Sequence, residues 1–240
     1  MNRIAILATL TACTAMSVPA SAAVISLDFE GVNATYPSGF ASIGNFYNGG
    51  TSSDGTTGTN YGISFGSNAL AICLNSTTVS CSATSRGGLG DAGSQRGGLF
   101  FTSGTETFLN YAAGFDTGFS FFYASVSYSG SVGVYDGVDG TGNLLATLSL
   151  TPQASGCSSY GAAFCPFVAA GVTFSGTARS IAFAGVANQI VFDDVTFGSA
   201  TPGESPAPEP ATWAMMLVGF GGIGTAVRRA RRSSRSAAIA

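Results

Sequence analysis

The chain has 240 residues, 45% of them hydrophobic and only 9% charged, with 34 glycines, no histidine and no lysine. Without histidine there is no Ser-His-Asp or Cys-His catalysis and no imidazole metal centre, and without lysine there is no Schiff base and no phosphate-loop lysine. The formal net charge of −3 hides an asymmetry: between Ala23 and Ala207 three arginines (Arg86, Arg96, Arg179) stand against eleven carboxylates, a net of −8, which excludes nucleic acid and anionic membrane surfaces as partners of that region.

The first 22 residues read as a secretory signal peptide, the substrate of signal peptidase. Arg3 supplies the positive start, Ile4 to Ala12 the short apolar core, and Pro19-Ala20-Ser21-Ala22 the small residues of a cleavage site after Ala22. Leu10-Thr11-Ala12-Cys13 resembles a lipobox. The apolar stretch before Cys13 is short and the later site is good, so Cys13 is read as one more apolar residue of the leader.

Residues 23–198 carry short β-branched and aromatic stretches between glycine-rich turns. Strands are predicted at Val24–Glu30, Tyr61–Phe65, Ala69–Leu74, Leu99–Thr102, Thr107–Ala112, Gly118–Val126, Ser131–Asp136, Leu144–Leu150, Phe167–Phe174, Ala178–Ala184 and Gln189–Phe197. Asn33 to Asn60 reads as an irregular loop with at most one short strand. Ser103-Gly104 marks a turn, and Gly137 to Gly142 is the loop of a hairpin between the stretches at 131 and 144. Helix formers are scarce and no amphipathic helix emerges. About ten strands without a helix predict an all-β fold, an antiparallel two-sheet sandwich of jelly-roll type.

Four cysteines fall in this region: Cys73, Cys81, Cys157 and Cys165, two pairs with the same spacing. Four cysteines allow three pairings. Export favours disulfides, and short loops close at the smallest entropic cost, so Cys73 is expected to join Cys81 and Cys157 to join Cys165. Zinc is disfavoured, because its cysteine pairs sit closer together and no histidine completes a site.

The acids suggest a further possibility. Asp28 and Glu30 lie two apart on a predicted strand and so share a face. Asp193 and Asp194 lie on the last predicted strand. In a jelly roll the first and last strands are often neighbours, and these four carboxylates could meet there as hard oxygen ligands suited to calcium; no cofactor is certain from the sequence, and calcium is the candidate it offers. The competing reading makes them edge charges that discourage strand addition. Asp136 and Asp139, flanking Gly137, are a second and weaker calcium candidate; the competing and favoured reading makes them turn residues. Tyr36, Phe40, Phe46, Tyr47 and Tyr160 are the aromatics placed to meet a sugar; the competing reading packs them under their loops.

Residues 199–207 form a Pro/Gly/Ser linker, and the chain then changes character. Pro208-Glu209-Pro210 is followed by Trp213-Ala214, an apolar run from Ala211 to Val227, and a basic stop at 228–235 holding Arg228, Arg229, Arg231, Arg232 and Arg235. The run of 17 residues would span about 25 Å as a helix, the lower limit for crossing a bilayer. Its four glycines suit a temporary anchor, and the arginines would stay cytoplasmic.

The tail at about 206–235 closely resembles the PEP-CTERM sorting signal of Gram-negative bacteria, in its PEPxxWA form, with the tripeptide, the Trp-Ala pair and the arginine cluster in order. That resemblance implies export, transient anchoring in the inner membrane with the body in the periplasm, cutting near the tripeptide by the membrane protease exosortase, and a cell-surface or extracellular fate alongside exopolysaccharide. The remainder resembles, loosely, galactose-binding and other carbohydrate-binding sandwiches, on the stretches Leu27–Glu30, Val134–Asp136 and Phe192–Val195. A non-enzymatic protein of an exopolysaccharide or biofilm matrix is the expected function. Two alternatives stay open: a carbohydrate-binding module with structural calcium, and an exported hydrolase using two carboxylates.

Overall fold

The computed structural model describes residues 24–34, 39–74, 97–125, 127–153 and 167–203 of the body, and 216–221, 223, 224 and 228 of the tail. The chain divides into two units, Ala22–Pro206 and the two chain ends. Among the described residues the body is built only of strands: β1 Ile25–Leu27, β2 Phe40–Ser42, β3 Ile63–Phe65, β4 Leu70–Cys73, β5 Gly97–Phe100, β6 Glu106–Phe115, β7 Gly118–Ala124, β8 Gly130–Tyr135, β9 Leu144–Leu150, β10 Val168–Thr173, β11 Ala178–Ala184 and β12 Val191–Phe197.

They form two antiparallel sheets in an open sandwich. The larger has seven strands in the order β10-β7-β12-β5-β4-β2, with β1 also paired to β12; the smaller has five, β3-β6-β11-β8-β9. The all-β, two-sheet expectation holds. The strands number twelve among the described residues where the sequence predicts about ten, and β2 is the single short strand allowed within the loop at 33–60. The hairpin around Gly137 is present, with Val132 opposite Leu148 and Gly130 opposite Leu150. The Ser103-Gly104 turn does something the sequence does not announce: β5 before it lies in one sheet and β6 after it in the other. It carries the chain from layer to layer.

Alternation explains the core. In β8, Val132 and Val134 are buried while their neighbours are partly exposed, the period-two pattern of a sheet with one face inward. The larger sheet is covered on both faces. Ala71 and Leu99 join the main core, whereas their strand neighbours Ile72 and Phe100 join a second cluster with Leu74, Ala124 and Val191. Phenylalanine fills the space between the sheets. Phe119 and Phe121 on β7 and Phe192 and Phe197 on β12 meet Phe115 on β6 and Phe183 on β11, with ring centroids 4.7 to 6.2 Å apart. Tilted and edge-on contacts of this kind are the favoured aromatic geometry.

Of the loop aromatics, Phe46 and Tyr47 follow the packing reading: both are buried in the main core, where Tyr47 accepts a hydrogen bond from the Phe29 N–H at 3.0 Å. Phe40 is half-exposed against Phe100, centroids 5.1 Å apart. Tyr36 and Tyr160 lie outside the described residues.

Cys73 closes β4, is buried, and is disulfide-bonded. Cys81, Cys157 and Cys165 lie outside the described residues.

Candidate functional site

The first and last strands are neighbours, as anticipated. β1 pairs antiparallel with β12, Ile25 opposite Phe197 and Leu27 opposite Val195. Continuing that register one step brings Asp28 opposite Asp194. The strand ends there, however, and this corrects the idea that Asp28 and Glu30 share a strand face. Phe29 is fully buried with φ of 56°, left-handed backbone that a bulky residue rarely adopts, and it breaks the alternation between the two acids.

Three of the four acids accept a backbone N–H. Asp28 Oδ1 accepts the Glu30 N–H at 3.1 Å, and a Glu30 carboxylate oxygen accepts the Gly97 N–H at 2.9 Å. Gly97 must be glycine: a Cβ there would lie 2.4 Å from the Phe29 carbonyl. Asp193 Oδ1 accepts the Asp194 N–H at 2.8 Å. Asp194 has φ of 46°, and the β12–β7 register slips by one residue between Asp193 and Thr196. The pair therefore builds a β-bulge, with Asp194 in the left-handed position that glycine, asparagine and aspartate tolerate best. Asp193 and Asp194 are 0% and 7% exposed, so they are not the solvated edge charges of the competing reading. Among the described residues no group of three or more acids or cysteines is placed to hold a metal ion.

The hairpin acids are turn residues, as their spacing suggests. Asp136 accepts from the Asn143 backbone N–H at 2.7 Å and from its side-chain amide at 2.8 Å. Asp139 pairs with Asn110, whose Oδ1 accepts the Asp139 N–H at 2.7 Å and whose amide donates back at 2.6 Å. Ser180 donates to the Gly137 carbonyl at 2.6 Å and accepts the Gly140 N–H at 3.0 Å. Asn110, Asn143 and Ser180 are the partners that sequence reasoning misses. Only Asn143 had a signal, since it sits where the hairpin loop ends.

Burial pushes the Asp28 carboxyl above the usual carboxylate range; the bond from the Glu30 N–H opposes the rise and the Glu30 charge adds to it. Asp136 is held below that range, first by the Asn143 side chain and then by its backbone N–H. A raised folded-state pKa favours folding only below the unfolded value, and that contribution is lost as pH rises through the folded value. A lowered one does the reverse, and its contribution is lost as pH falls through the folded value. Asp28→Asn keeps the acceptor for the Glu30 N–H and removes the charge. It should therefore melt higher than the parent at pH 7, and the gap should close as pH falls to about 3. A variant that melts lower at pH 7 would mean that the Asp28 charge is held by an attraction that outweighs burial.

In the tail, residues 216–221, 223, 224 and 228 are helical. Met216, Leu217, Val218, Phe220 and Ile223 are 49% to 72% exposed, although they do not share one helix face. Among the described residues no helix is long and apolar enough to cross a membrane; the rest of the predicted run at 211–227 lies outside them. So do Pro208, Glu209, Pro210, Trp213, Ala214, Arg229, Arg231 and Arg232. Arg228 is exposed at the end of the described helical residues.

Residues 206–232 match the PEP-CTERM protein-sorting motif. No curated protein matches the chain. The motif implies an exported protein, processed by an exosortase and sorted to the cell surface.

Proposed function

We propose that the body is a non-enzymatic β-sandwich, released by exosortase from a transient inner-membrane anchor and retained in an extracellular matrix with exopolysaccharide. The observation that carries this reading is the tail, where residues 206–232 match the sorting motif. A structural role is supported by the uses to which the acids are put. Asp28, Glu30, Asp136, Asp139 and Asp193 all accept backbone N–H groups or hold loops. A glycosidase needs two carboxyls facing a substrate from opposite sides, and these point into their own chain.

Glu209→Ala should leave export intact and accumulate a membrane-bound precursor, while the parent protein is released without its tail. Fractionation and mass spectrometry of the full-length chain in its host read both outcomes. Released parent protein that still carries Trp213 and the arginine cluster would remove the support for sorting. Released protein should also sediment with isolated exopolysaccharide. Saturable binding to one defined glycan would replace the matrix reading with a carbohydrate-binding module, and turnover lost on changing a carboxylate would replace it with a hydrolase.

A further inference from the structure

The outer face of the larger sheet carries a row of small residues across four strands. Ser26 on β1 is opposite Thr196 on β12, Thr196 is opposite Ser120 on β7, and Ser120 is opposite Gly171 on β10. Such a row would be exposed on a bare sheet, yet Ser120 and Thr196 are fully buried. Residues 198–203 lie over it. Ser120 donates to the Ser199 carbonyl at 3.0 Å, Thr117 to the Gly198 carbonyl at 2.8 Å, and the Gly203 N–H to the Thr196 hydroxyl at 3.0 Å. The Ser199 hydroxyl accepts the Thr201 N–H at 3.0 Å and so bends the strap back on itself.

Two glycines make room for it. A Cβ on Gly171 would lie 1.9 Å from the Ala200 carbonyl oxygen, and one on Gly118 would lie 2.7 Å from the Ala200 nitrogen. Neither glycine has the left-handed backbone that would itself require glycine. Both are needed only for the close approach of another backbone, the usual meaning of glycine inside a strand. The strap is thus a built contact, although its composition reads as the start of a linker.

Its position fixes a length. Only residues 204–207 separate Gly203 from Pro208, at most about 18 Å of extended chain. A body of this size has a radius of gyration of about 16 Å, so a docked strap keeps the bulk of the domain close to the segment that must enter a protease. Releasing 198–203 adds about 20 Å of reach.

We infer that residues 198–203 are a docked strap whose hold on the sheet, through Gly118, Gly171, Ser120 and Thr196, sets the rate at which the sorting tail is cut. This rests on the exosortase reading above; Gly118 and Gly171 act as positioning residues, through the length of chain they withhold. The test is a pulse-chase of the full chain in its host, following conversion of membrane-bound precursor to released form. Amide exchange at residues 198–203 of the released protein is measured in parallel.

Gly171→Ala should speed exchange in the strap and speed release about threefold or more, as a tether too short for its span gives way to one that reaches. Five Ser/Gly residues inserted between Gly203 and Glu204 should speed release equally with strap exchange unchanged, and the two changes together should add nothing. The Thr117→Ala/Ser120→Ala double variant removes two donors without adding bulk. It decides the matter if Gly171→Ala does not fold. Faster strap exchange with an unchanged release rate overturns the inference, as do additive effects of substitution and insertion, or strap exchange that neither variant changes. Wild-type released protein that retains Trp213 sinks the processing reading itself, and this inference with it.

Discussion

Phe119→Ala should cost about 3–5 kcal/mol, the usual penalty for emptying a buried phenylalanine site, and leave a domain near the edge of folding, since whole domains are stable by only about 5–15 kcal/mol. Phe119 is fully buried, and its ring stands 5.5 Å from Phe197, 5.7 Å from Phe121, 6.0 Å from Phe115 and 6.2 Å from Phe183. Two of these neighbours come from its own sheet and two from the other, so removal loosens both layers at once. The natural control is Phe40→Ala, because Phe40 is 43% exposed and should cost about 1 kcal/mol or less by area. Urea unfolding of the mature domain measures both. A Phe119→Ala variant within 1 kcal/mol of the parent would show that the aromatic network is not what joins the sheets.

Reduction of the disulfides has the second largest expected effect. The loop from Cys73 to Cys81 is short, and the chain-entropy relation assigns closing a loop of that length about 2.6 kcal/mol. Cys73 is buried and disulfide-bonded at the end of β4, so its bridge anchors a described strand whichever cysteine it joins. Non-reducing peptide mapping should join Cys73 to Cys81 and Cys157 to Cys165. Cys73→Ser should lower stability by about that amount in non-reducing conditions and match the reduced parent more closely in reducing ones. A peptide joining either member of the first pair to either member of the second would refute the pairing. A Cys73→Ser variant as stable as the parent would refute the energetic argument.

Strand positions were largely legible because local pattern carries them. The aromatic and β-branched runs at 118–126, 131–136, 144–150 and 178–184 each became a strand, since period-two burial is written in consecutive residues. What the acids do was not legible. Asp28 and Glu30 seemed to share a face until Phe29 took a left-handed backbone between them, and Asp193-Asp194 is a bulge that only pairing with β7 reveals. A bulge is a mismatch between two strands, and one strand's sequence holds half of it. The strap shows the same limit: Ser199–Gly203 has a linker's composition, and the residues that hold it are 79 positions away at Ser120 and elsewhere on β10 and β12.

The sequence by itself determined the destination of this protein and the class of its fold. Sorting signals are read as linear segments, so motif, apolar run and basic stop keep their meaning without tertiary structure, and strand periodicity is likewise local. Tertiary structure alone decided which sheet each strand joins, that the acids serve their own backbone, and where the body ends, because each depends on residues far apart in the chain meeting at distances of a few ångströms.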